Sequence, residues 1–191
     1  MAVSKKSAKN ISKVLSEALP YIQKFSGKTI VIKYGGSAMS NTYLRKSFAR
    51  DIVLMKTVGI NPIIVHGGGP QIEKELKKKN IKSSFLNGVR ITSPEIINTV
   101  QKVLDNQVNK EIVNLINSWG GKAQALAGKR IKFIKAKKIS NKRLGEVGEI
   151  VNIQKKITLN LPRNKIPVIS PVGWDKKLKP FAQSRIASFQ S

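Results

Sequence analysis

Several residue types are absent or scarce in this 191-residue chain, and each absence narrows the chemistry open to it. There is no cysteine, which excludes disulfides, a thiolate zinc site and a cysteine nucleophile. The single histidine, His66, leaves no set of imidazoles for a metal site or a proton relay. No apolar run approaches the roughly 20 residues of a membrane span, and no signal-peptide core follows the start. We therefore expect one sizeable domain, with no membrane as a partner.

Acidic side chains are also scarce, at 10 against 36 basic ones, which gives a net charge of +26. Such a charge is typical of nucleic-acid binders. However, lysine (29) far outnumbers arginine (7), and nucleic-acid recognition favours arginine. Lysine, isoleucine (24) and asparagine (14) all have AT-rich codons, so an AT-rich genome such as a plastid's explains the composition equally well. Nucleic-acid binding is therefore the alternative function. The expected compartment is the plastid stroma for a plastid gene, and otherwise the cytoplasm.

The stretch Asn61–Gln71, NPIIVHGGGPQ, combines a short apolar strand, three glycines and the start of a helix. Glycines let backbone N–H groups approach an anion closely. Pro70 suits the first helical position, and the helix start offers free N–H donors and a favourable dipole. A turn that needs glycine for geometry alone is the alternative, but three in succession exceed that need. The pattern predicts a phosphate or carboxylate site.

A second strand with a glycine turn lies earlier, where the apolar run Lys28–Lys33 is followed by Tyr34, Gly35 and Gly36. The run is apolar throughout, which predicts a strand covered on both faces. With the predicted helix Tyr43–Val58, the order is strand, turn, helix, strand, turn, helix, which is typical of a parallel sheet. Both turns then lie at the carboxyl edge, where open α/β sheets bind ligands. Lys33 could be a point charge for a phosphate there, or merely an extended surface lysine.

Three further segments carry local signals. Ile11–Phe25 is amphipathic, and Pro20 inside it predicts a kink or a break. This helix could pack on its own core or reach a partner subunit. Arg90 follows an Asn-Gly turn, and its planar fork suits a carboxylate, with a surface ion pair as the alternative. A single long helix is predicted from Ser93, as its N-cap, to Gly120.

From Lys122 onward the pattern becomes strand-like, with candidates at Ala123–Ala127, Ile131–Ala136, Gly145–Ile153 and Pro167–Ser170. Together the elements predict an α/β fold. Its mostly parallel open sheet would carry helices on both faces, preceded by an N-terminal helix.

The segments resemble the N-acetylglutamate kinases, of the amino acid kinase family. The likeness rests on Lys33-Tyr34-Gly35-Gly36, His66-Gly67-Gly68-Gly69-Pro70 and Gly88-Val89-Arg90-Ile91-Thr92, in that order and spacing. It continues through Val103–Lys110, Lys135–Lys138, Gly145–Glu149 and Ile166–Pro171, and covers about residues 11 to 175. The N-terminal helix with Pro20 resembles the extra helix of the arginine-inhibited, hexameric members.

The resemblance implies that ATP phosphorylates the γ-carboxylate of N-acetyl-L-glutamate, the second step of arginine biosynthesis. Mg²⁺ would enter with the nucleotide, and no protein residue is identified as a metal ligand. Lys33 would stabilise charge on the transferring phosphoryl group, and Gly35 and Gly36 would donate N–H bonds to the phosphates. Phosphoryl transfer depends mostly on positioning and charge neutralisation, so it needs no cysteine or histidine relay.

For the acetylglutamate side, the resemblance implies that Gly68 and Gly69 line the substrate and γ-phosphoryl site. Arg90 would bind the α-carboxylate of the substrate. The family pattern also implies a homo-oligomer, formed through the N-terminal helix and the sheet edge.

The end of the chain departs from the family pattern. After Asp175 the family continues with an asparagine and an aspartate that contact substrate and orient the catalytic lysines, whereas neither residue type follows Asp175 here. Ala127–Arg130 also lacks the aspartate that usually follows Gly-Lys. We expect a tail and helix at 1–26, an acetylglutamate-binding domain at 27–175 and a divergent tail at 176–191, without most of the nucleotide-binding half. A truncated kinase of doubtful activity and a non-catalytic acetylglutamate-binding protein both fit this division.

Overall fold

The computed structural model describes residues 4–183. Its helices are α1 (Lys5–Phe25), α2 (Thr42–Thr57), α3 (Gly69–Lys78), α4 (Pro94–Gln101), α5 (Asn109–Ser118) and α6 (Lys155–Leu159). Its strands are β1 (Thr29–Tyr34), β2 (Asn61–His66), β3 (Phe85–Leu86), β4 (Val89–Arg90), β5 (Ala123–Leu126), β6 (Ile134–Lys138), β7 (Val147–Ile153), β8 (Ile166–Ile169), β9 (Val172–Trp174) and β10 (Pro180–Gln183). Short 3-10 turns lie at Gly36–Met39 and Lys142–Leu144.

The main sheet has the strand order β1-β2-β8-β5, and every neighbouring pair in it is parallel. The carboxyl ends of its strands therefore share one edge, which we call the carboxyl edge and define by Gly35, Gly67, Ala127 and Ser170, the residues that follow the four strands. The predicted α/β fold with a parallel sheet is confirmed.

One face of the main sheet is packed by α2, α3, α4 and α5 around a single apolar core. Ile64 and Val168 supply the sheet side of this core, and both are fully buried. Leu76 and Ile116 supply helix side chains that are equally buried. Removing this much apolar area from water is the main stabilising term of the fold, and it fixes the helices that flank the carboxyl edge.

The opposite face is only partly covered, by α6 and by strands of a second sheet. Beside β1 a groove of about 1010 Å³ stays open. Thr29, Val31 and Lys33 of β1 are exposed on this side, so the prediction of a strand covered on both faces is wrong. The physical reason is that β1 lies at the edge of the main sheet, where Thr29 and Val31 border the groove instead of a helix.

The second sheet is a closed cycle of four strands in the order β10-β7-β6-β9. Glycines allow its close approach, since a Cβ on Gly173 would lie 2.6 Å from the Cβ of Ala136. A Cβ on Gly148 would lie 2.8 Å from the Cβ of Phe181. Strand β10 belongs to this sheet although it falls within the predicted divergent tail. Residues 184–191 lie outside the described residues, and the three-part division stays a prediction.

The predicted long helix from Ser93 is three consecutive helical segments. Ser93 does cap it, since its Oγ accepts a hydrogen bond from the N–H of Ile96 at 3.2 Å. Between α4 and α5 the backbone is π-helical over Lys102–Val108, which we call the π segment. The wider turn places Val103, Leu104 and Val108 together in the core.

Helix α1 begins at Lys5, before the predicted start at Ile11, because Ser4 accepts a capping hydrogen bond from the N–H of Ser7. It continues through Pro20 as one helix, so the predicted break is not found. None of its residues is buried, which excludes the alternative that it packs into the chain's own core. No described helix is both long and apolar enough to cross a bilayer.

Candidate active site

The two glycine turns lie side by side at the carboxyl edge. Strands β1 and β2 are in register, with Tyr34 beside His66, so the residues that follow them are neighbours. The N–H of Gly67 donates to the carbonyl oxygen of Tyr34 at 2.7 Å and joins the turns directly. The structure therefore brings the first turn (Gly35, Gly36) and the second turn (Gly67–Gly69) into one place, as the sequence predicted.

The first turn is open to solvent and leaves its donors unpaired. Gly36 has φ of +63°, a left-handed conformation that favours glycine. Across residues 4–183, the backbone N–H groups of Gly35 and Gly36 and the ammonium of Lys33 have no hydrogen-bond or ion-pair partner. Tyr34 fixes the turn from below, since its ring stacks on Phe48 with centroids 3.8 Å apart. These three donors are available to an anion.

The second turn uses its glycines in different ways. A Cβ on Gly68 would lie 2.5 Å from Cδ2 of Leu104, so this position needs glycine for close packing against the π segment. A Cβ on Gly69 would meet nothing within 4 Å. The N–H groups of Gly68 and Gly69 have no partner among the described residues, and they lie at the start of α3, whose dipole favours an anion.

His66 is fully buried beneath the second turn and forms a polar network there. Its Nδ1 lies 2.7 Å from the carbonyl oxygen of Gly67. Asn109 donates from Nδ2 to Nε2 of His66 at 3.1 Å and to the carbonyl oxygen of Val168 at 2.9 Å. Nδ1 therefore carries the proton of the neutral ring. Burial lowers the pKa of His66 to about 4, against the hydrogen bond that Nδ1 donates to the carbonyl oxygen of Gly67, which raises it.

Asp105, in the π segment, is a buried carboxylate that was not among the predicted site residues. Its Oδ1 accepts a hydrogen bond from Oγ of Ser170 at 2.5 Å, and the backbone of Gly128 also bonds to it. Burial raises its pKa, against hydrogen bonds from Ser170, Gln101 and Gly128 that lower it. Asp105 thus ties the helices to the ends of β8 and β5. The sequence offered only one signal, an acidic residue inside an apolar helical pattern.

Arg90 lies in β4 and is held by three neighbours. Its Nη1 donates to Oε2 of Glu73 at 2.9 Å and to Oγ of Ser83. Its guanidinium carbon lies 4.6 Å from the centre of the Phe85 ring. The side chain of Arg90 is only 12% exposed, so this is not a pair of freely solvated surface charges. The hydrogen bond from Arg90 is the largest cause that lowers the pKa of Glu73, against a smaller opposing effect of desolvation.

No group of three or more histidine, aspartate or glutamate side chains that could hold a metal ion lies within residues 4–183. The scarce carboxylates near the carboxyl edge are engaged instead, Asp105 with Ser170 and Glu73 with Arg90. The edge thus presents donors and positive charge, which suit phosphate and carboxylate oxygens rather than a cation.

Comparisons with known proteins identify relatives of this chain. The model of the amino acid kinase family matches residues 28–185. Acetylglutamate kinase from Marinomonas sp. (strain MWYL1) is 52% identical, over 92% of this chain and 62% of its own length. Acetylglutamate kinase from Hahella chejuensis is also 52% identical, over 87% of this chain and 59% of its own. This chain therefore spans about three fifths of the length of these relatives.

Among solved structures, the fold is similar to N-acetylglutamate synthase from Neisseria gonorrhoeae, with a TM-score of 0.76 and 20% identity over 91% of this chain and 40% of that one. At that identity the likeness concerns the fold alone. The family match covers both glycine turns, Arg90 and the second sheet. The chain belongs to the amino acid kinase family.

Proposed function

We propose that this chain binds N-acetyl-L-glutamate at the carboxyl edge and directs its γ-carboxylate toward phosphoryl transfer from ATP, as in arginine biosynthesis. The observation that carries the proposal is the set of unpaired N–H donors on two adjacent glycine turns, with Lys33 at the end of β1 and Arg90 bonded to Glu73 of α3. The relatives that bear the name acetylglutamate kinase support the choice of substrate.

Each donor has a role in this proposal. Arg90 binds the α-carboxylate, while the N–H groups of Gly68 and Gly69 hold the γ-carboxylate. On the first turn, Lys33 acts as a point charge that neutralises phosphate oxygens, and the N–H groups of Gly35 and Gly36 donate directed hydrogen bonds to those oxygens. ATP with Mg²⁺, when bound, supplies the phosphoryl group. The chain's own contribution is therefore orientation and charge neutralisation.

Isothermal titration calorimetry with N-acetyl-L-glutamate tests the binding step. We expect Arg90→Ala to weaken binding by about 10- to 100-fold, the range for losing hydrogen bonds to a charged group. Arg50→Ala is the matched control, because Arg50 is an exposed arginine paired with its neighbour Asp51, and it should change nothing. Absence of binding by the wild-type chain would refute the proposal.

A coupled assay for ADP release that depends on acetylglutamate tests the transfer step. Turnover that falls in Lys33→Ala supports a kinase. Binding without turnover assigns the alternative, a non-catalytic acetylglutamate-binding protein. Either outcome is compatible with a location in the plastid and with one in the cytoplasm.

We also propose a homo-oligomer through α1 and the sheet edge. Helix α1 leaves Ile11, Val14, Leu15 and Leu19 exposed on one stripe, at 51, 63, 60 and 50%. A stripe of that kind is typical of a helix that meets a partner. Sedimentation should show a smaller particle for the Leu15→Asp, Leu19→Asp double variant than for the wild type, and equal masses would reject this interface.

A further inference from the structure

Among the residues that the structure describes, those that hold the guanidinium of Arg90 lie on one side of it. Its Nη1 is engaged by both Glu73 and Ser83, and the Phe85 ring supports its plane. These three contacts come from α3, from the loop before β3 and from β3 itself. Arginine has rotamer freedom that binding must otherwise remove, so contacts of this kind define its orientation before a ligand arrives.

The other side of the guanidinium is left for a ligand. Within residues 4–183, neither Nε nor Nη2 of Arg90 has a hydrogen-bond partner, and neither is among the atoms sealed from solvent. These two nitrogens form the edge of the fork that binds a carboxylate with two parallel hydrogen bonds. Glu73 thus engages Nη1 and leaves the Nε–Nη2 edge of Arg90 free for a substrate carboxylate.

Glu73 also fixes where that fork lies relative to the second turn. It is four residues after Gly69 on α3, so the two share a helix face. They are separated by about 6 Å along the axis at 1.5 Å per residue. A short dicarboxylate could therefore reach from the fork to the helix start, with one carboxylate at each.

We infer that Glu73 is a positioning residue. It holds Arg90 with the Nε–Nη2 edge about one helical turn of α3 away from Gly69, and this placement selects ligands that carry an α-carboxylate at that distance. The inference deepens the proposed function and rests on it. Simple charge repulsion makes the opposite prediction, because removing the negative charge of Glu73 should strengthen binding of a dianion. Loss of positioning would weaken binding of the acid by Glu73→Ala, whereas loss of charge repulsion would strengthen it, so the measured affinity distinguishes the two effects.

The experiment compares Glu73→Ala with Glu75→Ala, a matched control two positions along the same helix, where Glu75 pairs with Lys78 at 3.4 Å. Each variant is titrated with N-acetyl-L-glutamate and with its α-amide, which lacks the α-carboxylate. We expect Glu73→Ala to weaken binding of the acid about tenfold, as expected when an arginine must be ordered on binding. Binding of the α-amide should be unchanged, and Glu75→Ala should match the wild type for both ligands.

Glu73→Gln adds a graded test, because its amide oxygen can still accept from Nη1 and should restore part of the affinity. A loss shared equally by acid and α-amide would show general damage to the site and overturn the inference, as would unchanged or tighter binding of the acid by Glu73→Ala. If the wild type binds the acid and Arg90→Ala weakens it, such results leave the proposed function standing. If the wild type binds neither ligand, the proposed function fails and this inference fails with it.

Discussion

The two glycine turns at the carboxyl edge have similar sequences but are held in different ways. In the first turn, a Cβ on Gly36 would meet nothing within 4 Å, and the adjacent Lys33 is exposed. In the second turn, Gly68 packs against Leu104, and the buried ring of His66 supports the backbone from below. Glycine thus provides a left-handed backbone in one turn and close packing in the other.

Because of this difference, the second turn is the more rigid of the two and the first turn is the more accessible. The second turn is tied to the helices by apolar contacts and by the hydrogen bonds of Asn109, so its N–H groups keep a fixed direction. The first turn is held by the stacked ring of Tyr34 and by Met39, which is buried in the core at the end of the 3-10 turn, while Gly36 and Lys33 are exposed. A fixed platform suits a substrate that must be oriented, while an accessible turn suits a partner that enters and leaves.

The largest expected effect concerns the support of the second turn at acid pH. The pKa of His66 falls from 6.5 when unfolded to about 4 when folded. The unfolded chain therefore binds the proton first, and stability present above pH 6.5 is lost as the pH falls towards 4. The loss is about 3 kcal/mol for a shift of this size. Urea unfolding at several pH values measures it.

His66 is the single histidine, so no second imidazole contributes to this change. Asp105 acts in the opposite sense: its raised pKa means that stability is fully present below its unfolded pKa and is lost as the pH rises through the folded value. Asp105→Asn should therefore steepen the loss on acidification. A free energy of unfolding that stays level between pH 7 and 5 would contradict the role given to His66.

The next effect separates two glycines within the second turn. Gly68→Ala should destabilise the fold by about 1–3 kcal/mol, because the new methyl group overlaps the buried Leu104 side chain. Gly69→Ala is its control and should stay within about 0.5 kcal/mol, since space is open there. Equal midpoints of urea unfolding for the two variants would show that the second turn is not held by packing.

A smaller effect is expected in the first turn. Gly36→Ala should cost about 1 kcal/mol, because φ of +63° is strained for a residue with a Cβ. Gly35→Ala, with a nearest neighbour at 4.0 Å and no positive φ, should cost less. The thermal midpoints of the two variants measure the difference. A lower midpoint for Gly35→Ala than for Gly36→Ala would contradict the assignment of backbone strain to Gly36.

The smallest expected effect is at Lys33. Lys33→Ala should change the free energy of unfolding by less than about 0.5 kcal/mol, since the exposed ammonium has no partner within residues 4–183. Guanidinium unfolding checks this. A large loss would mean that Lys33 supports the fold, and would weaken its assignment to phosphate oxygens.

Local patterns predicted much of the fold. The glycine turns after two apolar runs indicated the parallel pair β1 and β2, and Ser93 followed by proline indicated the start of α4. The exposure of β1 could not be predicted, because an apolar run does not say whether its strand lies at an edge. Strand β10 was missed as well, since its pairing with β7 and β9 depends on partners distant in sequence.

The site was predictable in part for the same reason. Glycines and Lys33 sit within short motifs, and register alone brings them together. The partners Glu73 of Arg90 and Ser170 of Asp105 are 17 and 65 residues away, and no local rule joins them. The roles of the predicted site residues stay predictions until the titrations above are made.

The π segment has a consequence for how this chain can tolerate insertions and deletions. A π-helical turn holds an extra residue compared with an α-helix. Deleting one residue between Lys102 and Val108 would close this wide turn into an ordinary α-helical one, so α5 would keep its orientation and Asn109 would stay beside His66. The cost would fall on the turn itself, where Leu104 packs on Gly68 and Asp105 bonds to Ser170. A single deletion within α5, by contrast, would rotate the residues after it by about 100°.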